Sequence, residues 1–160
     1  MAAGKKDDSD GLKPICRNRR AYHEYEVFET LECGLVLTGT EVKSLRDGAG
    51  SLEEAYAKIQ GRELWLIGSD IPEYAMGNIF NHKPKRPRKL LVHRREIKRL
   101  ENATREKGTT LIPLAIYFNA EGMAKLELAV GRGKQQHDKR ASIKKKEQDR
   151  DLRRLTTTRQ

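Results

Sequence analysis

The chain has 160 residues, enough for one folded body with tails, and a formal net charge of +10 that favours a polyanionic partner. No apolar run approaches the ~20 residues that cross a bilayer, and none follows Lys5 and Lys6 as a leader requires, so a cytoplasmic protein is expected. Cys16 and Cys33 make no disulfide framework, and with His23, His82, His93 and His137 they show no ligand spacing, so neither metal nor cofactor is expected.

The charge is uneven. Residues 83–99, KPKRPRKLLVHRREIKR, hold nine Lys/Arg against Glu96 alone, residues 131–160 carry a net +7, and residues 21–82 a net −7. Pro84 and Pro87 keep the first half of the basic run from becoming helix, and Leu90-Leu91-Val92 can anchor its flanks to a core. With no neutralising acids inside it, the run reads as a docking surface for phosphates rather than a solvated loop.

In chain order, residues 1–13 mix Gly, Ser, Lys and Asp without periodicity and are expected to be a disordered arm. Arg17, Asn18, Arg19 and Arg20 suit the gripping of phosphate and sugar, or form an exposed basic linker. Residues 22–31 alternate as a strand, Glu32-Cys33-Gly34 interrupts them with a tight connection at Gly34, and residues 35–38 resume. Glu32 is either a surface carboxylate or an acceptor for base and ribose edges. Thr38 and Glu41 make a capping box for a two-turn helix with Val42 and Leu45 inward, Lys43 and Arg46 outward, and Gly48 as its stop. So short a helix needs the body beneath it.

Residues 52–60 lead into a strand around Tyr56, Lys58 and Ile59, Gly61-Arg62 makes a turn, a strand at 63–67 that is apolar on both faces follows, and residues 69–80 read as loop. Ile97, Leu100 and Ala103 mark a helix over 93–107 that ends at Gly108 and carries Arg94, Arg95, Lys98 and Arg99 outward. A hairpin follows, with Ile112, Leu114, Ile116 and Phe118 on one face, a turn at 119–122, and Leu126, Leu128 and Val130 alternating beyond it. The inventory of about six strands and two to three helices predicts a mainly β body over 14–130, an OB-like antiparallel β-barrel. Beyond it, residues 131–160 have only Ile143, Leu152 and Leu155 as large apolar residues. This tail is expected to be disordered when free and helical inside an anionic groove, or else to be a solubilising tail.

Catalytic patterns are absent: there is no GxSxG, P-loop, GxGxxG or HExxH, and Glu41, Asp47 and Asp70 lack a nuclease spacing. No enzyme is expected. Nor has the tail the aromatic and leucine stripe of a membrane-surface helix.

Three segments carry a family resemblance: GTEVKSLRDG at 39–48, NHKPKRPRKLLVHRREI at 81–97, and GKQQHDKR at 133–140 followed by IKKKE. Together they resemble the small protein B family, the SsrA-binding proteins of bacterial trans-translation, over residues 18–155. The resemblance implies a cytoplasmic OB-like barrel that binds the tRNA-like domain of transfer-messenger RNA (tmRNA). With elongation factor Tu, it carries that RNA to ribosomes stalled without a codon in the A site. It implies no membrane and no small-molecule substrate. Asn18 and Arg19 would then touch the RNA elbow, Glu32 would support RNA contact beside Leu91 and His93, and Lys43, Lys83, Lys85, Arg86, Arg88 and Lys89 would hold phosphates. In the tail, Arg132, Gly133 and Lys134 would approach the decoding centre, His137 would stack on a small-subunit rRNA base, and Asp138, Lys139, Arg140, Ile143 and Lys144 would line the path into the mRNA channel. Gln135, Lys145 and His93 depart from the family pattern. A general OB-fold RNA chaperone or ribosome-binding protein is the alternative.

Overall fold

Tyr25–Leu35 forms one uninterrupted strand, β2, and the rest of the sheet is arranged around it. The structure, a computed structural model, describes residues 14–77 and 79–157, of which 136–139 and 155–157 by backbone alone. The expected arm at 1–13 lies outside the described residues. The break expected at Gly34 does not occur. Gly34 instead sits opposite Lys125 on one side and Leu91 on the other, and a Cβ there would lie 3.1 Å from the Leu91 Cβ. The glycine marks a close crossing of strands rather than a turn.

The remaining strands are β1 Cys16–Arg17, β3 Tyr56–Gln60, β4 Glu63–Ile67, β5 Arg88–Leu91, β6 Thr109–Phe118 and β7 Ala124–Gly133, and every pairing is antiparallel. Pairing runs β6-β3-β4-β5-β2-β7 and returns from β7 to β6, with β1 added outside β6. The chain is therefore mainly β sheet with several helices: α1 Ala21–Glu24, α2 Gly39–Arg46, α3 Arg94–Thr104 and α4 Gln136–Thr157. Two strands escaped the sequence reading. β1 has only two residues, and β5 lies inside the basic run, where charge masks it.

Gly61 and Arg62, at φ 60° and 62°, make the expected tight β3–β4 turn. β4 is buried on one face only, contrary to expectation: Leu64 and Leu66 are fully buried, whereas Trp65 and Ile67 are half-buried. On β6 the alternation switches parity, because the register shifts between Pro113 and Ala115. Leu111 and Ile116 consequently enter the main core, with Leu45, Leu64, Leu66, Leu90, Leu100, Leu126 and Leu128, while Ile112 and Leu114 join Ala21 and Ala129 in a smaller cluster. Each fully buried leucine contributes roughly 1.5–3 kcal/mol.

β7 runs to Gly133, past the boundary expected at residue 130, and α4 follows almost at once. The helix covers most of the stretch that the sequence reading assigned to the basic tail. Its residues are mostly good helix formers, and its root is tied down by the Lys134 N–H, which donates to the Glu24 carbonyl at 2.8 Å. Ile143 and Leu152 remain exposed, as expected of a helix with too few apolar residues to bury a face.

Candidate nucleic-acid interface

Five of the nine cations in the basic run meet acids supplied by other parts of the chain: Lys85, Arg86, Arg88, Lys89 and Arg99. Glu41 is the centre of this arrangement. Its Oε2 caps α2 by accepting the Thr38 N–H at 2.9 Å, which holds the carboxylate inward. Arg86 forks onto it, Nε to Oε1 at 3.0 Å and Nη2 to Oε2 at 2.8 Å, and Arg88 Nε reaches Oε1 at 3.0 Å. The other donors of Arg88 go to the Ser69 carbonyl and hydroxyl at 2.9 and 2.8 Å and to the Pro84 carbonyl at 3.0 Å. Burial pushes the Glu41 carboxyl up, but the Arg86 hydrogen bond, the Thr38 N–H and the two guanidinium charges outweigh it and hold the group below its ordinary range. The hydrogen bond to Glu41 raises Arg86, and burial lowers Arg88.

These contacts correct the reading of residues 83–89 as one free phosphate-binding loop. Arg88, fully buried, is a core residue. Arg86 is half-spent on Glu41, Lys85 Nζ lies 3.6 Å from Glu54, and Lys89 Nζ lies 2.8 Å from Glu63. Lys83 is exposed and has no ion pair among the described residues. The neutralising acids lie in the acidic stretch 21–82, too far along the chain for a local charge count to include them.

On the outer face of β2, Glu32 accepts a hydrogen bond from the Tyr117 hydroxyl of β6, and Lys125 Nζ lies 3.9 Å from its other oxygen. Burial, then the hydrogen bond to Glu32 and its charge, push the Tyr117 phenol up. Leu91 pairs with Gly34, two residues along from Glu32, and is 53% exposed. His93 follows as the exposed N-cap of α3, its N–H donating to Glu96 at 3.0 Å. An open cleft of about 520 Å³ is lined by His93, Arg94, Arg95 and Glu96. Glu32, Leu91 and His93 are thus carried by one crossing of β2 and β5.

Asn18 is placed otherwise than expected. It is buried, its Nδ2 donates to the Pro113 carbonyl at 3.2 Å and its N–H to Leu114 at 2.7 Å, so it fastens the segment to β6. The cleft beside it is lined by Glu24, Glu53 and Glu54, which disfavour phosphate. Arg19 is exposed. Lys43 is exposed on α2, its Nζ 5.7 Å from the Tyr74 ring centre.

At the tail root, Arg132 pairs with Glu106 at 2.8 Å and lies over the Phe28 ring at 5.9 Å. Gly133 ends β7 opposite Tyr25. Lys134 Nζ donates to the Tyr22 carbonyl at 2.8 Å and reaches Ser142 Oγ at 3.4 Å. Arg140, Ile143 and Lys144 are exposed on α4, whereas the side chains of His137, Asp138 and Lys139 lie outside the described residues.

The family model described as SmpB protein matches residues 15–158. The chain belongs to the SmpB family. An SsrA-binding protein of Sphingomonas elodea is 52% identical over 157 residues, 96% of this chain and 98% of its own length. One from Zymomonas mobilis subsp. mobilis is 52% identical over 155 residues, 97% of each chain, and one from Brucella canis is 53% identical over 151 residues, 94% of this chain and 96% of its own. Among solved structures, a chain described as "tmRNA-SmpB: a journey to the center of the bacterial ribosome" aligns with a TM-score of 0.66 and 43% identity, over 82% of this chain and 95% of that one. For this SmpB-family chain, sequence reasoning missed Tyr117 and Lys125 as the partners that orient Glu32. A signal was present: both lie on the outward-facing positions of strands whose alternate residues are apolar.

Proposed function

We propose that the chain is the SsrA-binding factor of trans-translation, binding the tRNA-like domain of tmRNA and bringing it to stalled ribosomes. What carries this reading is the near-full-length similarity to SsrA-binding proteins. The outward crossing of β2 and β5 supports it by offering a hydrogen-bonding carboxylate, an exposed leucine and a histidine together. The body is read as an OB-like antiparallel β-barrel, supported by the closed pairing order of six strands. It acts in the cytoplasm and its role is binding and positioning; no bond is made or broken by it. Glu32, Leu91 and His93 take the RNA, with Arg19, Lys43 and Lys83 on its phosphates, and Asn18 and Arg88 hold the surface from behind. The tail occupies the vacant decoding centre and mRNA channel, with Arg132, Gly133 and Lys134 at its root and His137 stacked on an rRNA base. Elongation factor Tu joins through the RNA.

The test is equilibrium binding at fixed physiological salt to the tRNA-like domain and to an ordinary tRNA of similar length. A preference of about tenfold, ~1.4 kcal/mol, is expected. Equal affinities would reduce the body to a general RNA binder held by phosphate attraction.

A further inference from the structure

Residues 71–77 and 79–83 lie over α2 and carry three large apolar side chains into solvent. Met76, Ile79 and Phe80 are 84%, 92% and 87% exposed, more than any other large hydrophobic residue described. The loop is nevertheless built firmly. The Asn81 side chain spans its neck: Oδ1 accepts the N–H groups of Tyr74 at 3.3 Å and His82 at 3.1 Å, and Nδ2 donates to the Tyr74 carbonyl at 2.8 Å. The Gly77 N–H donates to that same carbonyl at 2.8 Å. A Cβ on Gly77 would stand 2.4 Å from Asn81 Nδ2, so this turn excludes a side chain.

Beneath the neck, His82 is buried, with Nε2 2.8 Å from the Ile71 carbonyl and Nδ1 2.8 Å from the Thr40 hydroxyl. A carbonyl only accepts, so Nε2–H donates to the Ile71 carbonyl, and the Thr40 hydroxyl, which can donate or accept, completes the ring's second bond. Ser44 Oγ adds a bond to the Pro72 carbonyl at 2.7 Å. The apex is thus presented by a neck already ordered before any partner arrives, which lowers the entropy cost of binding there.

Charge selects the partner. Lys43 lies over Tyr74 at the neck and Lys83 follows His82; both are exposed, and neither has an ion pair among the described residues. Glu73 is the one acid between Ile71 and Lys83, and a second copy of the chain would set +10 against +10. Resting on the RNA-binding reading above, we propose that the apolar surface made by Met76, Ile79 and Phe80 is an additional RNA contact. An unstacked nucleobase of the bound tRNA-like RNA covers Phe80 with Met76 and Ile79, and the adjoining phosphates lie on Lys43 and Lys83. The three apolar side chains offer no hydrogen bonds, so they read the presence of an unstacked base rather than its identity.

The experiment is a salt titration of affinity for the tRNA-like domain. The variant Met76→Ala/Ile79→Ala/Phe80→Ala should lose about tenfold with an unchanged slope of log K against log salt. Lys83→Gln should lose affinity and lower that slope by about one. Phe80→Trp, which keeps an aromatic face, should retain affinity and show quenched fluorescence on the RNA. All three side chains are solvent-exposed, so unaltered thermal melting accompanies these effects. Equal affinity of wild type and triple variant at every salt would overturn the site, and a wild-type chain that ignores the tRNA-like domain would overturn the RNA reading beneath it. Unchanged RNA affinity with weaker pelleting on ribosomes would assign the apex to a protein face and equally overturn the RNA contact.

Discussion

At the scale of single residues, Glu41 carries the largest consequence. Its carboxylate is shared by two guanidiniums, one of them Arg88, which is wholly buried. Removing one partner of a buried pair strands the other charge, so Glu41→Gln should cost about 3–5 kcal/mol in urea unfolding. The pH dependence follows from the depressed carboxyl. Its contribution is complete above the unfolded value of ~4.3 and disappears as pH falls through the lower folded value. Wild-type unfolding midpoints should therefore drop on the acid side, and the variant should lack that part of the drop. Glu32 gives the opposite kind of test, because its worth is in binding. Replacing it with Ala frees the Tyr117 hydroxyl and should weaken RNA binding several-fold although a negative charge is lost; tighter binding would make Glu32 a mere surface carboxylate. In Glu32→Gln, one tyrosine should ionise at lower pH in an absorbance titration, since the charge that helps hold the Tyr117 phenol up is gone.

Among the elements, close approach of strands decides more than propensity does. A Cβ on Gly131 would sit 2.7 Å from the Glu26 carbonyl oxygen across the β2–β7 ladder. Gly131→Ala should therefore lose about 1–3 kcal/mol in the same urea assay, and unaltered stability would show that the ladder yields easily. Such glycines also explain what the sequence could and could not reveal. The β3–β4 hairpin, the α2 capping and the β6–β7 hairpin were legible because each rests on contacts within a few residues. Gly34 was misread as a turn because its reason for being glycine is Leu91, on another strand. The parity switch at Pro113 was invisible in an alternation that looked regular, since a bulge depends on the partner strand's register. Arg88 was assigned to phosphate because its neighbours in sequence are basic, whereas its neighbours in space are Glu41 and Ser69. Of the candidate site, the resemblance supplied Glu32, Leu91 and His93; the alternation put Tyr117 and Lys125 on the outward faces of their strands, but only the packing of β2, β6 and β7 shows that they meet Glu32.

For the whole molecule, charge divides the work. The acidic stretch folds back on the basic run and neutralises much of it, leaving the tail with the net +7 of residues 131–160. Because β7 extends to Gly133 and Lys134 bonds to Glu24, a truncation that tests this division must fall after Lys134. It should leave affinity for the tRNA-like domain within about twofold, while peptide tagging on stalled ribosomes is lost; simultaneous loss of both would show that tail and body bind as one unit. The path from tail to body has a mechanical side. Traction on α4 arrives at Gly133, paired with Tyr25, while bound RNA would grip β2 near Gly34, paired with Lys125 at the far end of the same ladder. Antiparallel strands gripped at opposite ends slide past each other rather than peel, so all the rungs between share the load. The β2–β7 pair is a lap joint, and under the proposed function a ribosome moving the tail would pull the RNA cargo with it before unzipping the body.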